Sequence, residues 1–190
     1  MLLFASITDD GQTQHQPVID DILILNIARG DKKAFSSLYQ LTSQSIYAYA
    51  LSILKNPADA EDVLQDTFLK IRSAAALYTP NGTPLSWILT ITRNLCLMKI
   101  RRQSHLACQP VDDLSLESSL NYISDSEDRI VLKTTLQLLS DEECQIIILH
   151  AVTGWKHREI AKLLQLPVST VLSKYHRGLK KLKTELEGIL

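Results

Sequence analysis

Apolar residues recur at helical spacing along most of the chain, and no stretch alternates apolar and polar residues for more than a few positions. The first helical pattern begins at Asp21 and continues after the turn sequence RGD. Its apolar positions are Ile22, Leu25, Ala28, Phe35, Leu38, Tyr39, Ile46, Tyr49, Ala50 and Ile53. Residues 1–20 are mixed and polar and are expected to form a loose extension. The pattern predicts an all-α protein.

The segment NPADAEDVLQDTFLKI, residues 56–71, carries a helix-start signal. Asn56 suits the N-cap and Pro57 the first helical position, and carboxylates in the first turns interact favourably with the helix dipole. The apolar stripe of this segment consists of Ala60, Val63, Leu64, Phe68 and Ile71. The carboxylates on the opposite side are Asp59, Asp62 and Asp66. The sequence therefore predicts an amphipathic helix with an acidic outer face.

The next segment, LYTPNGTP at residues 77–84, places Asn-Gly between two prolines, which indicates a loop. Thr83 and Pro84 suit the start of another helix, which we expect to run to about Arg102. Trp87 shares helical spacing with apolar neighbours in this helix. We therefore interpret it as a core residue rather than a surface on which bases stack.

Residues 103–126 lack sustained periodicity, contain no Lys or Arg, and are rich in Ser and Asp, as expected of a linker. Helical patterning resumes at Glu127. The chain is thus predicted to form two small helical bundles, 21–102 and 127–190, joined by an acidic flexible linker.

Two short amphipathic segments follow a capping-box signature formed by Ser140 and Glu143. The first segment, about 156–164, would bury Ile160, Ala161 and Leu164. The second, from about 168, would bury Val171, Tyr175, Leu179 and Leu182. A join of three to four residues sets two helices at a steep angle, as in a helix-turn-helix. The alternative is an amphipathic surface helix with solvated charges, but the short turn, the buried Ala161 and the basic end favour DNA binding.

Composition narrows the class of protein. The formal net charge is only −1, so a basic total does not point to nucleic acid, although four Lys and Arg residues fall within 177–183. Three widely spaced cysteines fit reduced thiols, and the Cys and His spacings match no zinc pattern. The N-terminus lacks signal-peptide features, and the most apolar candidate helix is too short for a bilayer. We expect a cytoplasmic protein without membrane insertion, metal, cofactor or catalytic activity.

Residues 139–183, LSDEECQIIILHAVTGWKHREIAKLLQLPVSTVLSKYHRGLKKLK, resemble the DNA-binding C-terminal domain of bacterial sigma factors. The stretches NPADAEDVLQDTFLKI and PLSWILTITRNLCLMKIRR resemble the N-terminal domain of the same family. Two domains with an acidic linker match the extracytoplasmic-function (ECF) group. The resemblance implies core RNA polymerase, promoter DNA and an anti-sigma factor as partners. It also implies that residues 103–126 lie in the RNA path of the polymerase, and the alternative is a generic polar linker.

The resemblance assigns three sets of site residues. The expected core-polymerase-binding residues are Asp59, Glu61, Asp62, Gln65 and Asp66. The expected minus-10 DNA-binding residues are Tyr78, Asn81, Arg93, Asn94, Lys99, Arg101 and Arg102. The expected minus-35 DNA-binding residues are Ser169, Thr170, Ser173, Lys174, His176, Arg177 and Lys181. The family often has Asp at the position of Met98, a departure that affects how the neighbouring arginines are held.

A different class of function stays open from the residues alone. The helix-turn-helix could belong to a stand-alone transcriptional regulator whose N-terminal half, residues 21–102, is a dimerisation or sensor domain. Association with core RNA polymerase would separate this alternative from a sigma factor.

Overall fold

The computed structural model of the protein describes residues 19–105 and 135–187, and every regular element within these ranges is helical. The predicted all-α fold is confirmed. The described residues divide into two compact units, one holding 19–105 and the other 135–187. Almost all of the predicted extension, and the predicted linker after residue 105, lie outside the described residues.

Within residues 19–105, the N-terminal unit contains four α-helices and one 3-10 turn. The helices are α1 (Asp21–Ala28), α2 (Lys32–Leu54), α3 (Pro57–Ala74) and α4 (Pro84–His105), and the turn is Ala75–Leu77. Helix α2 packs against the other three helices, so it forms the centre of the unit. The core of the N-terminal unit includes the fully buried side chains of Ile24, Leu38, Ile46, Tyr47, Tyr49, Leu51, Leu64, Ile71, Ile88 and Leu89.

Side-chain caps fix where the first three helices begin. Asp20 caps α1 by accepting from the Ile22 amide at 2.9 Å, and Asp31 caps α2. Asn56 accepts from the Asp59 amide at 3.0 Å, which confirms the predicted start of α3. The predicted stripe of α3 is confirmed as well, since all five of its apolar residues are buried.

Helix α1 faces the core with a different side from the predicted one. Ile24 and Ile27 are buried, whereas Ile22 is 58% exposed and Ala28 is exposed. The sequence of this short helix, DILILNIA, is apolar almost all round, so its periodicity does not select one face.

Helix α4 departs from prediction at two places. It ends at His105, so the first three residues assigned to the linker are helical. Its buried residues include Pro84, Ile88, Leu89, Thr92 and Cys96, and Trp87 is half-buried rather than central to the core. The ring of Trp87 packs against that of Tyr78, with centroids 5.0 Å apart.

The C-terminal unit contains helical residues 135–138 and three longer helices: α5 (Asp141–Thr153), α6 (His157–Leu164) and α7 (Val168–Glu187). Helices α5 and α6 both pack on α7. The capping box of Ser140 and Glu143 is present at the start of α5, as predicted.

Helices α6 and α7 form the predicted helix-turn-helix. All seven residues predicted to be buried on the two helices are buried. The turn between them passes through Gln165, whose φ of 58° lies in the left-handed region, and the Leu166 amide donates to the Ala161 carbonyl at 3.0 Å.

Gly178 allows α7 to approach α5 closely. A Cβ at this position would lie 2.6 Å from Cδ1 of Ile147, which is itself buried. Because real Cβ contacts are not that short, a larger residue would force the two helices or the Ile147 side chain to move.

Candidate functional site

The outer face of α3 carries the residues predicted to bind core polymerase. Gln65 and Asp66 are exposed, the Asp62 side chain is 68% exposed, and Glu61 is half-buried. The fifth residue, Asp59, is more enclosed, with a side chain that is 19% exposed. The exposed part of this face therefore lies toward the middle of the helix.

Lys99 of α4 lies against this acidic face. Its Nζ is 2.8 Å from Oδ1 of Asp59 and 2.7 Å from Oδ2 of Asp62. Nε2 of Gln103 donates to the other oxygen of Asp59 at 2.8 Å. Partial burial opposes the charge of Lys99, but the bonds to the two carboxylates outweigh it and raise the pKa of the ammonium. The structure thus corrects the placement of Lys99, which bridges to α3 instead of standing on an outer face of α4.

The other residues predicted to meet minus-10 DNA on α4 differ in exposure. Asn94, Arg101 and Arg102 are exposed, and Met98 between them is 43% exposed. Arg93 is half-buried near the buried Tyr49 hydroxyl, where burial raises the pKa of that hydroxyl and the charge of Arg93 opposes the rise. Three of the predicted cations and amides therefore remain on the surface of α4.

The loop between the 3-10 turn and α4 is anchored by Asp21, the first residue of α1. The Tyr78 hydroxyl donates to Oδ1 of Asp21, and the Gly82 amide donates to Oδ2 at 2.8 Å. Oδ1 of Asn81 accepts from the amide and the hydroxyl of Thr83 at 3.1 and 2.7 Å. Residues 79–83 are all exposed.

Tyr78 was predicted to contact DNA, but the structure gives it a structural position. Its side chain is 7% exposed, and its hydroxyl is bonded to Asp21. Burial and the bond to this carboxylate both raise the pKa of the hydroxyl, so Tyr78 stays protonated and keeps donating. No local pattern in the sequence points to this contact, because Asp21 precedes Tyr78 by 57 residues.

The residues predicted to meet minus-35 DNA divide between two sides of α7. Ser169, Ser173 and His176 are exposed on the side opposite the buried stripe, and Thr170 is half-buried beside them. Three cations lie on the flank that faces α5. They are Lys174, Arg177 and Lys181.

Two glutamates at the start of α5 hold these cations. Oε1 of Glu143 lies 3.0 Å from Nε of Arg177, its Oε2 lies 2.8 Å from Nζ of Lys181, and Glu142 lies 2.8 Å from Lys174. Burial of Glu143 opposes its charge, but bonds from Lys181 and Ser140 outweigh this and lower the pKa of the carboxyl. All three predicted cations are thus ion-paired with α5, but the side chains of Arg177 and Lys181 stay 58% and 42% exposed and only Lys174 is more enclosed, at 23%.

Two histidine side chains, those of His150 and His157, pack against the ring of Tyr175 on α7. The rings of His150 and His157 stack with centroids 4.9 Å apart, and both meet the Tyr175 ring edge-on. Burial and the neighbouring His150 and His176 lower the pKa of His157, whose Nε2 is enclosed without a hydrogen-bond partner. Within residues 19–105 and 135–187, no group of three or more His, Cys, Asp or Glu side chains is placed to hold a metal ion.

The described helices do not include one that is long and apolar enough to cross a bilayer.

Two family models match most of the chain. The family model "Sigma-70 region 2" matches residues 38–106, and the model "Sigma-70, region 4" matches residues 129–182. Together these ranges cover more than half of the 190 residues. The chain belongs to the sigma-70 family.

Relatives of this sigma factor align with it over most of its length. The RNA polymerase sigma factor CarQ of Myxococcus xanthus is 29% identical over 163 residues, which cover 85% of this chain and 93% of CarQ. The ECF sigma factor SigW of Bacillus subtilis is 26% identical, covering 87% of this chain and 96% of SigW. SigE of Mycolicibacterium smegmatis is 30% identical, covering 84% of this chain and 65% of SigE.

Two solved structures share the fold. CnrH, in complex with the cytosolic domain of CnrY, has a TM-score of 0.62 at 24% identity, covering 89% of this chain and 97% of CnrH. The sigma factor RpoE of Bartonella quintana, in complex with the anti-sigma factor NepR, has a TM-score of 0.61 at 22% identity, covering 82% of this chain and 98% of RpoE.

These matches decide between the two functions that the residues alone left open. The protein is an ECF sigma factor for promoter-specific transcription initiation and not a stand-alone regulator. Sigma factors are generally non-enzymatic regulators of transcription. The region 2 match contains α3, α4 and the loop between them, whereas Asp21 precedes the matched residues.

Proposed function

We propose that this sigma factor docks on core RNA polymerase through the outer face of α3. The main support is an exposed acidic and polar surface on the side of α3 opposite its buried stripe. Its residues are Asp62, Gln65 and Asp66. A carboxylate surface of this kind is complementary to a basic partner. Asp66 and Gln65 carry most of the contact, while Asp59 is held by Lys99 and Gln103 within the unit.

Charge reversal tests this surface. The double variant Asp62→Lys with Asp66→Lys should bind core polymerase at least about tenfold more weakly, because two attractive contacts become repulsive. Glu185→Lys, a single reversal at an exposed position of the other unit, is the control for the effect of added positive charge. Binding is measured by fluorescence anisotropy with labelled sigma factor, and circular dichroism checks folding. Unchanged affinity in a folded double variant would overturn the proposal.

We further propose that α7 reads the minus-35 element. Support comes from the exposed row of Ser169, Ser173 and His176, whose polar groups suit base edges and phosphates. Arg177 and Lys181 on the flank are held by Glu143 and can each reach DNA by turning away from it.

Arg177 and Lys181 should contribute to DNA binding in different ways. Arg177→Ala should narrow the difference in affinity between cognate and scrambled minus-35 sequences, since a base contact is worth about 1–3 kcal/mol at one base pair. Lys181→Ala should weaken both sequences equally and lower the salt slope by about one. If Arg177→Ala leaves the difference unchanged at fixed salt, Arg177 is a phosphate contact and discrimination lies nearer Ser169 and Thr170.

We propose that the loop 78–83 and the exposed side of α4 meet the minus-10 element. Asn81 in the loop and Asn94, Arg101 and Arg102 on α4 are exposed, and cationic grooves follow the phosphates of a single strand. A photo-crosslinking residue at position 79 of the loop should label the non-template strand at the minus-10 element in a complex with core polymerase. Labelling elsewhere on the promoter, or none, would overturn this assignment.

We propose that the protein acts in the cytoplasm as a non-enzymatic polymerase subunit and is restrained by an anti-sigma factor. The support for a restraining partner is the solved complex of RpoE, a protein of the same fold, with the anti-sigma factor NepR. A candidate partner expressed with the sigma factor should block its binding to core polymerase. A partner that binds and leaves core association unchanged would argue against restraint of this kind.

A further inference from the structure

We propose that Asp21 is a positioning residue for promoter DNA, because its carboxylate holds the loop 78–83 in the shape in which it meets the minus-10 element. The proposal rests on the function proposed above for that loop. It concerns a residue outside the family match, on a helix that has no DNA-binding role of its own in any assignment made above.

Both oxygens of the Asp21 carboxylate are used, and they bind two different parts of the loop. Oδ1 accepts from the Tyr78 hydroxyl where the loop begins, and Oδ2 accepts from the Gly82 amide near its end. One side chain on α1 therefore sets the separation of the two ends of a loop that lies about sixty residues further along the chain.

The backbone of the loop requires such an anchor. Gly82 has a φ of 71°, and a Cβ there would meet no atom within 4 Å, so glycine is needed for conformation and not for packing. A glycine populates many conformations in solution, and the bond from its amide to Asp21 selects one of them. The anchor thus compensates for the freedom that the glycine introduces.

The loop is enclosed at its first anchor point and exposed beyond it. Tyr78 is buried and packs on Trp87, whereas residues 79–83 are exposed. Oδ1 of Asn81 accepts from the amide and the hydroxyl of Thr83, so the tip is also tied to the start of α4. A loop whose shape is fixed before binding loses less conformational entropy when it captures a strand, which raises affinity without adding a contact.

Positioning and simple electrostatics predict opposite results for the same variant. If the charge of Asp21 acted only through its field, removing it would strengthen binding to negatively charged DNA. If Asp21 positions the loop, replacing it by Asn weakens binding, because the single amide oxygen of Asn cannot accept from the Tyr78 hydroxyl and the Gly82 amide at once, and no charge strengthens the bond that remains.

Asp20 offers a matched control for Asp21→Asn. It is adjacent to Asp21 and carries the same charge. Its side chain accepts a hydrogen bond from the Ile22 amide in α1 and not from the loop. Asn is about as good an N-cap as Asp, so Asp20→Asn changes the charge and preserves the helix start.

The experiment compares the full-length variants in complex with core polymerase. We expect Asp21→Asn to lower the ratio of affinities for cognate and scrambled minus-10 strands about tenfold, as for loss of a hydrogen bond to a charged group. Asp20→Asn should leave that ratio unchanged. Core binding and binding to a minus-35 duplex should not change in either variant, which distinguishes positioning from a general loss of structure. An Asp21→Asn protein that behaves like Asp20→Asn overturns the proposal.

Tyr78→Phe provides a second variant that keeps the ring against Trp87 and removes only the hydroxyl. It should lower the same ratio, and the double variant with Asp21→Asn should be no worse than Asp21→Asn alone, because both changes break one network. Additive losses would overturn the network, and the Tyr78→Phe result decides the question if Asp21→Asn fails to fold.

Crosslinking from position 79 in the otherwise unaltered protein distinguishes failure of the loop assignment from failure of the role of Asp21. Its absence from the minus-10 element overturns the loop assignment itself, whereas its presence with an unaffected Asp21→Asn ratio overturns only the role of Asp21.

Discussion

The two units of this sigma factor pair their helix charges in opposite proportions. Between α3 and α4, one ammonium, that of Lys99, serves two carboxylates. Between α5 and α7, one carboxylate, that of Glu143, serves two cations, and Glu142 serves a third. The first arrangement leaves an excess of negative charge on the proposed polymerase face, and the second leaves an excess of positive charge on the proposed DNA face. Internal pairing therefore reduces each surface charge without changing its sign.

The two arrangements also differ in burial. Glu143 is 3% exposed and belongs to a capping box, whereas the Asp62 side chain is 68% exposed. Exposed ion pairs contribute little to stability, while a buried carboxylate without partners costs much more. The charges between α5 and α7 are thus part of the fold of their unit, and those between α3 and α4 adjust a surface.

The sharpest test of this difference is Glu143→Ala. It removes the capping box and both ion pairs, and should destabilise the C-terminal unit by about 2 kcal/mol. The change is read from the fluorescence of the buried Trp155 during urea unfolding, in a Trp87→Phe background that leaves one tryptophan. Glu142→Ala is the control, with an expected loss under about 1 kcal/mol because that residue is exposed. Equal losses in the two variants would contradict the difference in burial.

Acid should affect the C-terminal unit through His157. Its pKa is lowered in the folded state, so the unfolded chain binds the proton more readily and stability falls as the pH drops below about 6.5, the ordinary value of histidine. The unfolding midpoint seen by Trp155 should decrease between pH 7 and pH 5.5. His157→Gln should show a smaller decrease, since it removes this proton-binding difference and keeps a polar side chain. An equal slope in the variant would assign the effect to other groups.

The smallest effect is expected for Lys99→Met. The ion pairs with Asp59 and Asp62 are partly exposed, so the N-terminal unit should lose no more than about 1 kcal/mol, measured by the fluorescence of Trp87. Core-polymerase affinity should stay equal or rise, because Asp62 is released from an internal partner. A marked loss of core affinity would show that Lys99 itself contacts the polymerase or fixes the face of α3.

Local signals explain what could be predicted. The Asn56 cap, the stripe of α3, the capping box of Ser140 and the buried residues of the helix-turn-helix each depend on residues within one or two turns of a helix. Such patterns are complete in the sequence. The face of α1 was not predictable in this way, because an almost wholly apolar short helix is oriented by its neighbours.

Contacts between distant residues account for the rest. Glu143 and Lys181 are 38 residues apart, and Lys99 and Asp62 are 37 apart, so spacing within a helix could not reveal either pair. The sequence identified the charged residues as candidates for the sites, but only the packing of the helices decides which of them face inward. The same limit applies to Asp21, whose partners lie in another part of the chain.

The close approach at Gly178 has a consequence for engineering. If α7 reads the minus-35 element as proposed, exchanging its outward residues, such as Ser169, Ser173 and His176, with those of another sigma factor should alter promoter preference. Transplanting the whole helix from a donor with a larger residue at position 178 would instead place a side chain where Ile147 now lies. A functional chimera should therefore keep Gly178, or Ile147 should be replaced by a smaller residue when the new helix is introduced.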